Sequence, residues 1–156
     1  MTNINKTDAV HLMLAGLVAE LSFEAYAWLV SPALFGVQLE PANLVIGLTG
    51  MATGTQLPYA AAFAIHFLIG IFGFAAAVWL VKRGTGVGHA TAGLITGVGL
   101  WFVAQGMLAP LMGRNFMMGF GAYTQSSFVG HVGMTLIVAL VWRRLATRHA
   151  AQPQPI

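Results

Sequence analysis

The stretch "FAIHFLIGIFGFAAAVWLVKR", residues 63–83, decides the fold. Its first nineteen residues contain no Asp, Glu, Lys or Arg. A helix rising about 1.5 Å per residue needs roughly 20 such residues to cross the hydrocarbon of a bilayer. His66 sits inside that run. An ionisable side chain is expensive at such a depth, so it reads as functional by default.

The rest of the chain agrees with this stretch. Of 156 residues, 58% are hydrophobic and 7% are charged. A soluble domain carries about 25% charged residues, so this chain is read as an integral membrane protein. The net charge of +3 reflects few acids rather than a basic face, because Lys and Arg total seven. Nucleic-acid binding needs clustered bases on an accessible surface and is not expected. The absence of cysteine excludes disulfides and thiolate metal sites. One bundle is the expectation for this length.

Four stretches qualify as spans, at about 10–30, 58–81, 90–112 and 125–145. The expected architecture is an all-α integral membrane four-helix bundle over 1–147. A polar, proline-containing tail at 148–156 is expected to be disordered on the cytoplasmic side. Thr7 or Asp8 is the predicted N-cap of the first span, which is predicted to end before Ser31-Pro32. Pro58 suits the first position of the second. Lys6, Lys82, Arg83, Arg143, Arg144 and Arg148 fall on one side and Arg114 on the other. That bias predicts the bacterial inner (plasma) membrane with both termini cytoplasmic. Glu20 and Glu24 interrupt the first span, which therefore does not read as a cleavable signal peptide. "EPANLVIGLTG", residues 40–50, predicts a short extra helix in the outer interface or over the bundle mouth, because Leu44, Val45, Ile46 and Leu48 call for burial.

The halves echo one another. "HLMLAGL" (11–17) resembles "HATAGL" (89–94), and "SPALFG" (31–36) resembles "APLMG" (109–113). Phe63 and Phe128 each stand three residues before a histidine. The alternatives are two tandem helical hairpins, with His66 and His131 equivalent across the bundle, or shared membrane-helix composition.

Depth gathers the polar residues. At 1.5 Å per residue, His66 lies about 12 Å, Glu24 and Gln105 about 10 Å, and His131 about 9 Å from the outer ends of their spans. Glu20 is one turn from Glu24 on the same helix face. No Lys or Arg shares this depth, so the two glutamates either carry a proton or sit beside a metal, a histidinium or water. Taken singly, each histidine is more often a hydrogen-bonded structural residue than a ligand, and polar side chains also serve as interhelical glue. Gln105 and the methionines are read mainly as packing and hydrogen-bonding residues.

Several chemistries suit such a layer. His66 and His131 on facing helices could ligate haem b, with Gly70, Gly73, Gly130 and Gly133 admitting a flat macrocycle or simply close helix packing. Glu20, Glu24, His66 and His131 form a candidate divalent metal set, although the Glu-x-x-His spacing of carboxylate-bridged bundles is absent. His66, His131, Glu24 and Gln105 form a candidate cofactor or quinol pocket. A proton path is the fourth use. The residues do not choose among these. His11, His89 and His149 sit at the basic end and read as interfacial.

The segments "AGLVAEL", "LEPANLVIGL", "IHFLIGIFGFAAAVWLV", "AGLITGVGLWFVAQGMLAPLMG" and "FVGHVGMTLIVALVW" together resemble a family of small four-helix bacterial inner-membrane proteins of unassigned function. His66 with Gly70, Pro110 with Gly113, and His131 carry the resemblance, over roughly residues 15–142. It implies fold and membrane placement and no activity. Glu20 and Glu24 are not part of that pattern, which points to a specialised use of the site or a bound partner.

There is no nucleophile-plus-base arrangement and no phosphate loop, so independent catalysis is not expected. The leading expectation is an accessory subunit of a respiratory or electron-transfer complex in the membrane, packed against a larger partner or a second copy. The alternatives are a small homo-oligomeric ion, proton or solute transporter, and a purely structural bundle.

Overall fold

The computed structural model describes residues 4–150, with side chains as far as Arg148. Its helices are α1 (Lys6–Phe35), α2 (Ala42–Thr53), α3 (Tyr59–Thr85), α4 (His89–Leu111) and α5 (Ala122–Arg148). All but α2 are long and apolar enough to cross a membrane. Among the described residues there is no strand. The chain is an all-α membrane bundle. Of the tail expected over 148–156, Arg148 and the backbone of 149 and 150 continue the last helix. The remainder lies outside the described residues, as does the side chain of His149.

Local chemistry sets the helix ends. Asn5, rather than Thr7 or Asp8, caps α1: its side-chain oxygen accepts the Asp8 N–H at 2.7 Å. Asp8 instead sits in the first turn, where an acid complements the helix dipole. Pro58 is the cap of α3 rather than its first helical residue, its ψ of 143° being extended. Lys82 and Arg83 occupy the last turn of α3, and Gly86, at φ 73°, closes it by donating to the Lys82 carbonyl.

The first span does not stop at Ser31-Pro32. It runs on to Phe35 by widening one turn, Tyr26–Val30, in which the Ser31 N–H reaches the Tyr26 carbonyl five residues back. Pro32 supplies the reason. A proline inside a helix lacks the N–H for the carbonyl four residues earlier, and its ring collides with that carbonyl. A wide turn removes the collision. In α4 the same device precedes Pro110: the turn Val103–Leu108 is wide, and the Ala109 N–H reaches Ala104. A third wide turn, Ile69–Phe74 in α3, has no proline and contains Gly70 and Gly73. Such turns concentrate at functional sites.

The spans close into a ring in which α1 packs against α3 and α5, and α4 against α5 and α3. Each crossing therefore lies against the one that follows it in the chain. Small residues make the seams, as expected where lipid offers no hydrophobic drive between helices. Gly16 of α1 lies so close to the Ile71 carbonyl of α3 that a Cβ there would overlap it. Gly93 and Gly97 stand in the same relation to the α5 backbone around Thr135. Between the seams Ala15, Ala19, Phe23, Val78, Val138 and Ala139 form the core. Leu21, Leu29, Leu68, Phe72 and Leu140 face outward, where lipid solvates them.

At one end of the bundle Asp8, Trp79, Lys82, Arg83 and Trp142 border a common depression. Arg114 lies at the opposite end. There α2 folds across the bundle mouth, and its Leu44, Val45 and Leu48 roof the cavity beneath. A tight turn at Phe116–Phe120 completes the rim, with left-handed backbone at Met117, Met118, Gly119 and Phe120. Met117 is buried, and the Thr124 hydroxyl donates to its carbonyl.

Candidate functional site

Two features meet at His66. Under α2 lies a cavity of about 250 Å³. Its walls are largely apolar, from Phe23, Ile69, Phe74, Leu100, Val103 and Met134. Its polar members are His66, Gln105, Ser127 and His131 in the bundle and Glu40, Arg114 and Tyr123 toward the mouth. Glu20 and Glu24 do not line the cavity; their carboxylates converge on His66.

A wide turn places one of these polar groups. Gln105 lies within the wide turn of α4 and is buried there. Its Nε2 donates to the Ser127 hydroxyl oxygen at 3.2 Å, while its Oε1 has no hydrogen-bond partner. His131, one turn beyond Ser127 on α5, places Nδ1 2.8 Å from the Ser127 carbonyl. A carbonyl can only accept, so Nδ1 carries the proton, and in the neutral ring Nε2 is left as acceptor or ligand. The Ser127 hydroxyl, 3.3 Å from the same Nδ1, ties glutamine and histidine into one unit.

The second cluster is built on α1 and α3. His66 Nδ1 is 3.6 Å from Glu20 Oε1. One ligand atom from each of Glu20, Glu24 and His66 falls within 4.8 Å of the others. Glu20 is 0% exposed, and neither of its carboxylate oxygens has a hydrogen-bond partner. Glu24 accepts from Trp28 Nε1 through Oε2 at 3.0 Å, leaving Oε1 buried and unpartnered. Of the four residues expected to form a metal set, three converge. His131 instead belongs to the cavity's far wall, with Gln105.

Two of the four glycines near the histidines have side-chain tenants from α1, while Gly133 has open space. A Cβ on Gly70 would fall on the Glu20 carboxylate, and one on Gly130 would meet the Phe23 ring at 2.9 Å. These notches admit α1 side chains rather than a macrocycle. Pockets for drug-sized ligands run from roughly 300 to 1,000 Å³, so the space between the histidines suits a single ring better than haem.

Sequence reading missed three features. Glu40 and Arg114 border the cavity mouth, and the Asn43 amide donates to Glu40 at 2.7 Å. Ser127 couples Gln105 to His131; its spacing four residues before His131 was the available signal. The third is a buried polar knot between α1 and α5. Tyr26 Oη donates to the Ser126 carbonyl at 3.0 Å and lies 2.8 Å from the Ser126 hydroxyl. Ser31 Oγ is 2.6 Å from that hydroxyl and 2.5 Å from the Val37 carbonyl.

Compared with known proteins, the chain matches no family model, no curated protein and no solved structure.

Proposed function

We propose that this protein is a small membrane subunit of a respiratory or electron-transfer assembly, and that its cavity receives the head group of a quinol. The observation that carries the reading is the pairing of apolar walls with two hydrogen-bond acceptors. Gln105 Oε1 has no partner, and His131 donates through Nδ1, which leaves its Nε2 to accept. A hydroquinone ring is flat and apolar and carries hydroxyl donors. Gln105 and His131 therefore complement the reduced ring better than the oxidised one, whose carbonyls only accept. His66 closes the cavity on the side facing Glu20. The mouth lies at the end bearing Arg114, which the distribution of Lys and Arg assigns to the periplasmic face.

A transporter is the weaker reading. Gly16 stands one turn from Glu20 toward the basic end, and its contact with the Ile71 backbone closes α1 against α3 there. A continuous path from Glu20 toward that end would have to part the two helices.

The test is binding of a short-chain quinol to the purified full chain, followed by fluorescence of its tryptophans or by calorimetry. Gln105→Leu and His131→Leu are each expected to weaken quinol binding by tenfold or more, with the quinone affected less. Equal binding to wild type and both variants would overturn the reading. An absorption spectrum of the same sample, oxidised and dithionite-reduced, would show a reduced haem band if haem occupied the site instead. Affinity capture from native membranes tests the assembly: a larger redox complex is expected to co-purify.

A further inference from the structure

We propose that Glu20, Glu24 and His66 form a binding site for one divalent first-row transition ion, of the Zn²⁺ or Mn²⁺ class, between α1 and α3. The inference does not depend on what occupies the cavity.

Burial is the first argument. Glu20 is 0% exposed and its two carboxylate oxygens have no hydrogen-bond donor. Buried polar groups are almost always hydrogen-bonded, and buried charges are paired or bound to metal. The basic residues of α1 and α3 are Lys6, Lys82 and Arg83, all in terminal turns. No cationic side chain on either helix reaches this depth. His66 Nδ1, at 3.6 Å, is outside hydrogen-bond reach of Glu20 and is itself unpartnered. Glu24 brings a carboxylate oxygen within 4.8 Å of both, and its Oε1 is buried and unpartnered.

Geometry is the second. Bonds of about 2.0–2.2 Å put two ligand atoms on a tetrahedral ion roughly 3.3–3.6 Å apart. Glu20 Oε1 and His66 Nδ1 already stand at 3.6 Å. Glu24 completes the group within 4.8 Å and needs only a side-chain adjustment. Its other oxygen is held by the Trp28 indole at 3.0 Å, the kind of outer contact that orients a ligating carboxylate. Two carboxylates and a neutral imidazole around a 2+ ion sum to zero charge, which suits a site inside a bilayer. Imidazole favours transition ions, whereas Ca²⁺ takes six to eight oxygens. Three protein ligands leave a fourth position open.

The architecture makes room for the group. A Cβ on Gly70 would occupy the carboxylate's volume, so the glycine four residues after His66 is the socket of Glu20. That gives the spacing a physical reason independent of helix packing.

The experiment uses the full chain in detergent, stripped with chelator and dialysed against Mn²⁺ or Zn²⁺ alone. Elemental analysis and calorimetry then read stoichiometry and affinity. One ion per chain is expected, with Glu20→Gln and His66→Ala each weakening binding at least tenfold and His131→Ala leaving it unchanged. Trp28→Phe is expected to weaken it by a smaller factor. The manganese EPR line shape should broaden on binding to wild type and not to Glu20→Gln, which keeps the size of the side chain and guards against a folding artefact. Unchanged binding in Glu20→Gln and His66→Ala would assign the ion to surface histidines and overturn the site. Absence of binding by a folded wild-type chain would overturn it equally.

Discussion

Glu20 and Gly70 share one volume: the carboxylate of the first lies where the side chain of the second would begin. The relationship joins α1 to α3 at the most deeply buried acid in the chain. Gly70→Ala is expected to destabilise the bundle by about 1–3 kcal/mol, the usual cost of overfilling a packed interior. Glu20→Ala, made with it, vacates the space that the new methyl needs. The double variant should therefore be more stable than the sum of the single effects predicts, by about 0.5–3 kcal/mol. Thermal or denaturant unfolding in one detergent measures all four corners of the cycle. Strict additivity would mean that the two residues do not touch.

The knot of Tyr26, Ser31 and Ser126 makes a second prediction. The Ser126 hydroxyl lies between those of Tyr26 and Ser31. Ser126→Ala leaves both without that partner, although each keeps a carbonyl acceptor. Interhelical hydrogen bonds in membranes are worth about 0.6 kcal/mol on average. We expect Ser126→Ala to cost about 1 kcal/mol and Tyr26→Phe a similar amount. Because both act through one group, their combination should cost less than the sum. Unfolding in the same detergent reads the difference.

These two features also show what could be read from the chain. The four spans followed directly from apolar length, and the clustering of Lys and Arg at one end followed from their positions. The helix over the mouth was visible in the apolar run Leu44–Leu48. Depth alone brought His66, Glu24, Gln105 and His131 to one layer, because depth is linear in residue number. Rotation about each helix axis was not legible in the same way. Each wide turn inserts an extra residue and rotates everything after it, so the face presented by Gln105 could not be counted from the start of its helix. Of the layer only Gln105 lies in a wide turn, since Glu20, Glu24 and His66 precede theirs and α5 has none. The division into a cavity wall and a carboxylate cluster therefore rests on how the packed helices face one another. Likewise, Pro32 looks like a helix end in sequence. Only the widened turn before it shows how the helix continues.

The turn at Phe116–Phe120 gives a prediction of opposite signs at adjacent positions. Gly119 and Phe120 both have left-handed backbone, with φ of 67° and 56°. That conformation costs a residue with a Cβ roughly 1–2 kcal/mol and a glycine little. Phe120 is 59% exposed, its ring meeting the likewise exposed Phe116 edge-on, and Gly119 has open space around its Cα, so the backbone effect outweighs packing. Phe120→Gly should stabilise the protein by about 1 kcal/mol and Gly119→Ala should destabilise it by about as much. Melting temperatures of the two variants moving in the same direction would rule out the left-handed turn.

Pro110 offers the sharpest test of how the fold places the site. Its ring forces the wide turn Val103–Leu108, and that turn carries Gln105 into the cavity. Pro110→Ala restores an N–H that can reach the Gly106 carbonyl four residues back. The turn is then free to tighten into regular helix, which rotates Gln105 and the residues before it relative to Pro110. Stability should hold or rise slightly, since a hydrogen bond is gained. Binding of a quinol-type ring should nevertheless weaken several-fold, with His131 and its Ser127 contact intact. Ala109→Ser, a neighbouring change that leaves the proline in place, serves as the control for local packing. Loss of affinity in Pro110→Ala without loss of stability would tie the cavity chemistry to the helix distortion. Unchanged affinity would mean that Gly106 and its neighbours keep the wide turn without the proline.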